Sequence, residues 1–297
     1  MSYNIENSHI SVLLQEVLEK LEPQDGHVIV DGTFGAGGYT KAILEAANTN
    51  VIALDRDPDV KIYAENISSS YQNRFKFINS KFSDIENSLK AIGVKQVDGI
   101  VLDLGVSSMQ FDYGERGFSF ANDGPLDMRM DKQGISAEEI INTYRENDLA
   151  DIIYEFGEEH NSRRIARKIV EYRAVQRITT TAELRKIIHS VSKKRGNIDS
   201  ATKTFQALRI YINKELDELH LVLEASKKIL KKGGKLVVVT FHSLEDRIAK
   251  FYFKENTDAF HIMTKKVVKP TREETLKNPR SRSAKLRAVE FLGVRND

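Results

Sequence analysis

A glycine-rich turn is the part of the chain best suited to holding a ligand. It reads D-G-T-F-G-A-G-G at residues 31–38, directly after the apolar run Val28–Val30 and directly before a helical pattern from Thr40 to Ala47. Glycine lets the backbone turn sharply and approach a ligand closely, and the first N–H groups of a helix have no partner inside it. The turn therefore predicts a pocket for a nucleotide-type cofactor at a strand-to-helix junction.

Carboxylates near this turn indicate the kind of cofactor. Asp31 stands at the mouth of the turn, and Asp55 ends the apolar run 51–55, 17 residues after Gly38. A carboxylate at the end of the second strand commonly binds both hydroxyls of an adenosine ribose. An acid at the mouth repels a pyrophosphate and attracts a cation. The pair favours S-adenosylmethionine, which carries an ammonium and a sulfonium but no phosphate, over a dinucleotide.

Two further strand ends carry polar side chains. Asp103 stands at the carboxyl end of the strand predicted in the apolar run 98–104, and a loop rich in aromatic residues, arginine and aspartate continues from there to residue 131. His242 follows the apolar run that starts at Lys235. Ligands of parallel α/β sheets bind beyond the carboxyl ends of the strands, and long loops there usually serve function. We therefore expect both strand ends to border the same site.

Composition sets limits on the chemistry. The chain has 297 residues, a formal net charge of +2 and no cysteine, which excludes disulfides, thiolate zinc sites and thiol nucleophiles. Its seven histidines are dispersed, so no metal is expected. Residues 1–9 are polar, and no run approaches the roughly 20 apolar residues that span a bilayer. These features predict a cytoplasmic protein without membrane or metal partners.

Positive charge is concentrated in two segments. Between His160 and Ile212 there are thirteen lysines or arginines against three acids, and between Lys265 and Arg287 there are nine against two. Clustered bases favour a polyanion, because each phosphate that they neutralise releases counterions. The alternative is that these bases form solvated helix faces.

The order of elements predicts an α/β fold, with strands and helices alternating up to the run 98–104. Only helical signals occur from Ser136 to Ser192, and one long amphipathic helix is predicted from Thr202 to Leu230. Strand 235–241, helix 244–253 and an antiparallel pair of strands at 263–268 and 286–291 complete the pattern. We therefore predict a doubly wound sheet domain at 1–113 and 213–297, with an inserted all-helical domain at 114–212.

Seven motifs together resemble one family, from His9 to Glu290. They are D-G-T-F-G-x-G-G, D-L-G-V-S-S, E-R-G-F-S-F, D-G-P-L-D-M-R-M-D, T-F-Q-A-L-R-I-Y-I-N, F-H-S-L-E-D-R-I and N-P-R-S-R-S-A-K-L-R. The chain is similar in these motifs to the bacterial 16S ribosomal RNA (cytosine-N4)-methyltransferases. The resemblance implies a Rossmann-type S-adenosylmethionine-dependent methyltransferase sheet whose helical insert recognises RNA. It also implies methyl transfer to the exocyclic amine of a cytidine in the small ribosomal subunit, and it leaves the oligomeric state open.

Site residues follow from the resemblance and from the turn. The resemblance implies cofactor contacts at Gly37, Gly38, Tyr39, Asp55, Phe82, Asp103 and Gln110, to which the turn itself adds Asp31 and Gly35. The arginines and lysine expected to bind RNA are Arg116, Arg129, Arg163, Arg164, Arg167, Arg280, Arg282 and Lys285. The chain departs from the family pattern with Tyr39 in place of His, Ser11 in place of Pro, and Asp199-Ser200 in place of His-Pro.

Asp103 and His242 are the catalytic candidates. Methylation of a pyrimidine at C5 ordinarily needs a cysteine nucleophile, which is absent here, so attack by nitrogen or oxygen remains. The lone pair of a cytosine amine is delocalised into the ring, so the amine must be aligned with the sulfonium and must donate a hydrogen bond to an acceptor. Asp103 serves either as that acceptor or as the partner of the cofactor's ammonium, and His242 has either a catalytic role or a structural hydrogen bond.

Several alternatives remain open at the level of sequence. The aromatic residue that stacks on the target base is one of Phe111, Tyr113, Phe118 and Phe120, any of which could instead belong to the core. A nicotinamide oxidoreductase would bind NAD(P)H and ignore S-adenosylmethionine. A non-catalytic ribosomal-RNA-binding or assembly protein with a vestigial cofactor pocket would bind RNA but transfer no methyl group.

Overall fold

A computed structural model describes residues 11–192 and 199–293, except for the side chain of Ser108. The chain forms two compact units. Unit 1 runs up to Gly105 and resumes at Leu216, and unit 2 is Val106–Glu215.

A single sheet organises unit 1. The seven strands within the described residues are β1 (Val28–Asp31), β2 (Asn50–Asp55), β3 (Phe75–Asn79), β4 (Val97–Asp103), β5 (Leu230–Thr240), β6 (Phe260–Ile262) and β7 (Lys285–Phe291). Their order across the sheet is β3-β2-β1-β4-β5-β7-β6. β1 to β5 pair in parallel, and β7 is antiparallel to both β5 and β6. The predicted α/β class and the antiparallel end of the sheet are confirmed.

Thirteen α-helices occur in the described ranges. They are α1 (Leu14–Leu21), α2 (Gly38–Ala46), α3 (Lys61–Ser70), α4 (Ile85–Ala91), α5 (Ser108–Asp112), α6 (Ala137–Thr143), α7 (Glu146–Gly157), α8 (Ser162–Arg173), α9 (Thr181–Val191), α10 (Thr202–Asn213), α11 (Glu215–Ile229), α12 (Ser243–Glu255) and α13 (Arg272–Lys277). Short 3₁₀ turns lie at 58–60, 82–84, 114–116 and 279–283. None of these helices combines the length and the apolar character that crossing a bilayer would require.

The core of unit 1 lies on the central strands. Ile100, Val101 and Leu102 of β4 have no exposed surface, and Ile100 and Leu102 pack in one cluster with Leu219 and Val222 of α11. Central parallel strands are covered by helices on both faces, so their sequences are apolar almost without interruption. Each such side chain contributes about 1.5–3 kcal/mol relative to an exposed one. This core fixes the carboxyl ends of β1, β2 and β4 at one edge of the sheet.

Unit 2 has a separate helical core. Ile140 of α6, Ile153 of α7, Ile165 of α8 and Leu208 of α10 are fully or almost fully buried within it. α9 begins with a capping box, because the Thr180 side chain accepts a hydrogen bond from the Glu183 N–H and Glu183 accepts one in return. The helical character predicted for 136–192 is confirmed.

Two element predictions are wrong. The chain does not form one helix from Thr202 to Leu230, because α10 ends at Asn213 and Lys214 takes a left-handed conformation with φ +52° before α11 starts. β5 already starts at Leu230, so the Lys-Lys-Gly-Gly stretch predicted to end a helix belongs to a strand. The strand predicted at 263–268 lies earlier, at Phe260–Ile262, and Val268 contributes only an isolated bridge to Leu286.

Candidate active site

The turn after β1 contains glycines at positions where a Cβ atom would clash with neighbouring side chains. A Cβ atom on Gly32 would lie 2.5 Å from Leu102 Cδ2, and one on Gly38 would lie 2.0 Å from Ser11 Oγ. Gly37 has φ +80° and its N–H donates to the Phe34 carbonyl at 2.7 Å. Gly38 and Tyr39 are the first residues of α2, so their N–H groups have no acceptor within that helix. The turn therefore presents backbone donors at a place where side chains are excluded.

Asp31 lies inside the turn. Its side chain has no exposed surface, Oδ1 accepts a hydrogen bond from the Thr33 N–H at 3.2 Å, and Oδ2 accepts one from Thr40 Oγ at 2.7 Å. Burial raises the pKa of Asp31 to about 6. Asp31 thus braces the turn, and no part of its surface is open to direct contact with a ligand.

Asp55 connects the end of β2 to the same turn. Its Oδ2 accepts a hydrogen bond from the Gly35 N–H at 2.8 Å, and its Oδ1 accepts one from the Asp57 N–H at 2.9 Å. Burial raises the pKa of Asp55 to about 6. Asp55 itself is only half-buried, and each carboxylate oxygen has a second lone pair that can accept a ligand hydroxyl.

Asp103 ends β4 with a carboxylate oxygen that lacks a partner. Its backbone N–H donates to Thr33 Oγ at 2.6 Å, whereas its Oδ1 is buried and accepts no hydrogen bond. Burial, together with the charges of Asp31 and Glu245, raises the pKa of Asp103 well above its usual range. A buried acceptor without a donor is costly, so this atom marks a place where an ammonium or amine would be bound favourably.

Phe82 and Gln110 have different surroundings. Phe82 is half-buried, starts the 3₁₀ turn after β3 and packs on the core of unit 1. A Cβ atom on Gly32 would lie 3.4 Å from Phe82 Cβ, so Phe82 is close to the glycine turn. Gln110 belongs to unit 2, where its side-chain oxygen accepts a hydrogen bond from the Ser107 N–H at 3.0 Å and caps α5.

His242 is the N-cap of α12. Its Nδ1 accepts a hydrogen bond from the Glu245 N–H at 3.4 Å, and Glu245 Oε2 accepts one from the Phe241 N–H at 2.8 Å. Nε2 of His242 lies 3.0 Å from Glu245 Oε1, although the two atoms are not aligned for a hydrogen bond. The structural hydrogen bond considered for His242 is therefore present, and a catalytic role for this residue stays a prediction.

Two of the arginines expected to bind RNA hold unit 2 together. Arg116 is only 7% exposed and donates to the carbonyl oxygens of Arg129 and Met130, both at 3.0 Å. Arg129 binds both carboxylate oxygens of Asp127, at 2.9 and 2.7 Å, and also the Gly134 carbonyl at 3.0 Å. Both guanidinium groups are therefore committed to the loop that precedes α6.

The other expected RNA contacts lie nearer the surface. Arg163, Arg164 and Arg167 are exposed on α8, where Arg163 pairs with Asp151 at 2.8 Å and Arg167 with Glu146 at 3.6 Å. In unit 1, Arg280 and Arg282 are exposed, and the half-buried Lys285 pairs with Asp246 at 2.8 Å. Of the residues used in the sequence argument, His9 and Lys193–Arg195 lie outside the described residues.

Three polar residues of the site were not identified from sequence. Thr33 accepts a hydrogen bond from the Asp103 N–H, and Thr40 donates one to the Asp31 carboxylate. Glu245 accepts hydrogen bonds from the two backbone N–H groups that directly follow β5. The spacing of Glu245 three residues after an N-cap is a recognisable capping signal. The two threonines carry no comparable signal, because their partners depend on how strands pair.

Comparisons with known proteins identify the family of this chain. Residues 6–292 match the profile of the MraW methylase family. A ribosomal RNA small subunit methyltransferase H from Rickettsia canadensis is 53% identical over 97% of this chain and 99% of that protein. The protein of the same name from Rickettsia massiliae is 52% identical over 96% of this chain and 98% of its own length.

A solved structure shares a weaker similarity. An rRNA methylase from Streptococcus thermophilus matches 94% of this chain and 93% of its own, with 10% identity and a TM-score of 0.46, which is too low to bear on function. The family profile and the close relatives decide the assignment. The chain belongs to the MraW methylase family, and it is a methyltransferase that takes its methyl group from S-adenosylmethionine.

Proposed function

We propose that the chain transfers the methyl group of S-adenosylmethionine to the exocyclic N4 of a cytidine in small-subunit (16S) ribosomal RNA. The relatives named ribosomal RNA small subunit methyltransferase H support the RNA substrate. The observation that carries the proposal is the buried, partnerless Oδ1 of Asp103 beside the glycine turn. An amino group of the substrate or the ammonium of the donor supplies the hydrogen bond that this oxygen lacks.

The residues around the turn fit the methyl donor. The N–H groups of Gly38 and Tyr39 face the donor's carboxylate, and Asp55 accepts hydrogen bonds from the two ribose hydroxyls. Phe82 offers an aromatic face to the adenine. Asp31 supports the positive end of the donor through its charge. When bound, S-adenosylmethionine supplies an electrophilic methyl group on a sulfonium.

Asp103 has two proposed roles that one substitution separates. In Asp103→Asn the side chain still accepts a hydrogen bond but carries no charge. If Asp103 binds the ammonium of the donor, this variant raises the Kd for S-adenosylmethionine. If Asp103 accepts the hydrogen bond of the cytosine amine, the variant lowers kcat at saturating donor and leaves that Kd nearly unchanged.

Exposure favours two of the four aromatic residues as partners of the target base. Phe118 is 5% exposed within the core of unit 2, and the Phe120 ring lies 5.0 Å from that of Phe205 and 5.2 Å from the Arg185 guanidinium. Phe111 and Tyr113 are 38% and 39% exposed. We therefore assign base stacking to Phe111 or Tyr113 and expect Tyr113→Leu or Phe111→Leu to raise KM for RNA without changing donor affinity.

Unit 2 is the proposed RNA-recognition part of the protein. Its α8 presents three exposed arginines, and Arg280 and Arg282 add positive charge on unit 1. We propose that the partner is 16S ribosomal RNA within the small subunit. As predicted from the sequence, the reaction would take place in the cytoplasm and would need no metal.

The test uses small subunits from a strain that lacks this gene. Incubation with the purified protein and tritiated S-adenosylmethionine is expected to label one cytidine of the RNA, and mass spectrometry of the digested RNA locates the methyl group on N4. Label on a different atom or base would refute the proposed reaction, and binding of RNA without any label would support a non-catalytic assembly protein instead.

The ribose assignment has a separate test. Asp55→Ala removes the acceptors of two hydroxyl groups, so we expect a loss of roughly 1.5–3 kcal/mol, or about 10- to 100-fold in Kd for S-adenosylmethionine. Asp59→Ala, an exposed acid four residues further on, is the matched control and should bind normally. Unchanged affinity in Asp55→Ala would show that Asp55 does not contact the ribose.

A further inference from the structure

A short segment that precedes α1, Ser11–Leu13, lies directly against the first turn of α2. A Cβ atom on Gly38 would lie 2.0 Å from Ser11 Oγ, so the segment and the start of α2 are in direct contact there. The Tyr39 hydroxyl donates a hydrogen bond to the Val12 carbonyl, and all three residues of the segment are buried. The segment therefore backs the part of the turn whose N–H groups face the donor.

The conformation of this segment has to be maintained by its neighbours. Leu13 has φ +53°, a left-handed conformation that costs a leucine about 1–2 kcal/mol, and its side chain has no exposed surface. Its carbonyl accepts a hydrogen bond from the Val17 N–H at 2.8 Å. A residue held in such a conformation persists only where surrounding contacts determine it.

A hydrogen bond to a residue near the other end of the chain holds the Leu13 backbone in place. Glu274 Oε1 accepts a hydrogen bond from the Leu13 N–H at 2.7 Å, across 261 positions of sequence. Glu274 is the third residue of α13, where an acid commonly returns to the backbone N–H of the N-cap. Here the Thr271 side chain accepts from the Glu274 N–H, while the Glu274 carboxylate reaches Leu13. Its neighbour Glu273 is exposed and pairs with Lys277 on the same helix.

We propose that Glu274 and the Tyr39 hydroxyl are positioning residues for the methyl donor. Together they hold Ser11–Leu13 against α2 and so fix the direction of the Gly38 and Tyr39 N–H groups. This inference rests on the proposed placement of the donor at the glycine turn. The inference also assigns a function to the side chain of Tyr39, which stands where the family usually has His. This function is additional to the proposed binding of the donor by the Tyr39 N–H.

The test measures donor binding by calorimetry and steady-state kinetics. We expect Glu274→Ala to raise both the Kd and the KM for S-adenosylmethionine about 10-fold, with kcat at saturating donor unchanged. Glu274→Gln keeps an acceptor oxygen and should stay within about 3-fold of the wild type. Glu273→Ala, on the adjacent position, should not change either constant.

A further variant, which removes the hydroxyl of Tyr39, tests whether Glu274 and Tyr39 act on the same segment. Tyr39→Phe should raise the Kd, and combining it with Glu274→Ala should raise the Kd by less than the product of the single effects, since both bonds hold the same backbone. Thermal unfolding of every variant shows which effects are losses of fold.

The outcomes separate this inference from the proposed function. A Glu274→Ala protein with a lower Tm but wild-type Kd, or an equal loss of affinity in Glu273→Ala, would overturn the positioning role. If Asp55→Ala binds normally while Glu274→Ala does not, the positioning role stands and the ribose assignment fails. Normal binding in both variants would remove the donor from this turn and refute both assignments.

Discussion

Three carboxylates end three neighbouring strands of the sheet, and their ionisation controls what can bind there. Burial raises the pKa of Asp31 and of Asp55 to about 6, and burial together with the charges of Asp31 and Glu245 raises the pKa of Asp103 well above its usual range. An acid whose pKa is higher in the folded protein than in the unfolded chain makes the fold less stable as pH rises from about 4 to its folded pKa. A bound cation offsets this cost by favouring the ionised form.

The affinity for the methyl donor should therefore depend on pH. We expect the Kd for S-adenosylmethionine to fall by about tenfold between about pH 5 and pH 7 for each of Asp31 and Asp55 that takes part, because below a pKa of about 6 donor binding must displace a proton. Calorimetry in buffers of different ionisation enthalpy measures the protons released. Asp55→Asn should lose part of this dependence, and an affinity that is independent of pH would show that the carboxylates are already ionised at pH 5.

The sequence could predict the positions of these acids but not their contacts. Asp31, Asp55 and Asp103 each end an apolar run, and the carboxyl ends of parallel strands meet at one edge. The partners of Asp31 and the burial of Arg116 depend on packing that no local pattern expresses. The Glu274–Leu13 bond joins residues at opposite ends of the chain and carries no sequence signal.

At the level of elements, the break between α10 and α11 shows where periodicity fails as a guide. Apolar residues recur at helical spacing through both helices, and neither glycine nor proline marks the left-handed Lys214. The runs 28–30, 51–55 and 98–104 match β1, β2 and β4 to within one residue, and an aspartate stands at or next to the carboxyl end of each run. β6 was displaced because a three-residue edge strand has too few residues to show a period.

Lys214 offers a way to stabilise the protein. Lys214→Gly removes the Cβ that disfavours φ +52°, so we expect unfolding of the protein in urea to require about 0.5–1 kcal/mol more. Lys186→Gly, at an exposed position inside α9, is the matched control and should cost about 1 kcal/mol. Destabilisation by both glycines would mean that Lys214 is not left-handed in solution.

At the level of the whole molecule, a net charge of +2 conceals strongly basic segments in both units. The arginines of α8 are partly neutralised by Asp151 and Glu146. Exposed pairs of this kind contribute only about 0–1 kcal/mol, so a phosphate can compete for the same guanidinium groups.

Charge variants of α8 test the RNA-binding face in both directions. Replacing Arg163, Arg164 and Arg167 by glutamine should weaken RNA binding and reduce its salt dependence by up to about three units of slope, with the donor Kd unchanged. Asp151→Asn releases Arg163 from its partner and should strengthen RNA binding about 2- to 3-fold. RNA affinity that stays constant in all of these proteins would move the interface away from α8.

The order of the strands along the sequence also determines when the sheet can form during synthesis. Unit 2 is one continuous stretch, whereas unit 1 needs β5, which pairs with β4 and is encoded after unit 2. During synthesis the apolar β4 therefore waits with one edge unpaired for several seconds while the helical unit emerges and folds. Unpaired apolar edges recruit other chains, so we expect the nascent protein to be most prone to aggregate before β5 has left the ribosome.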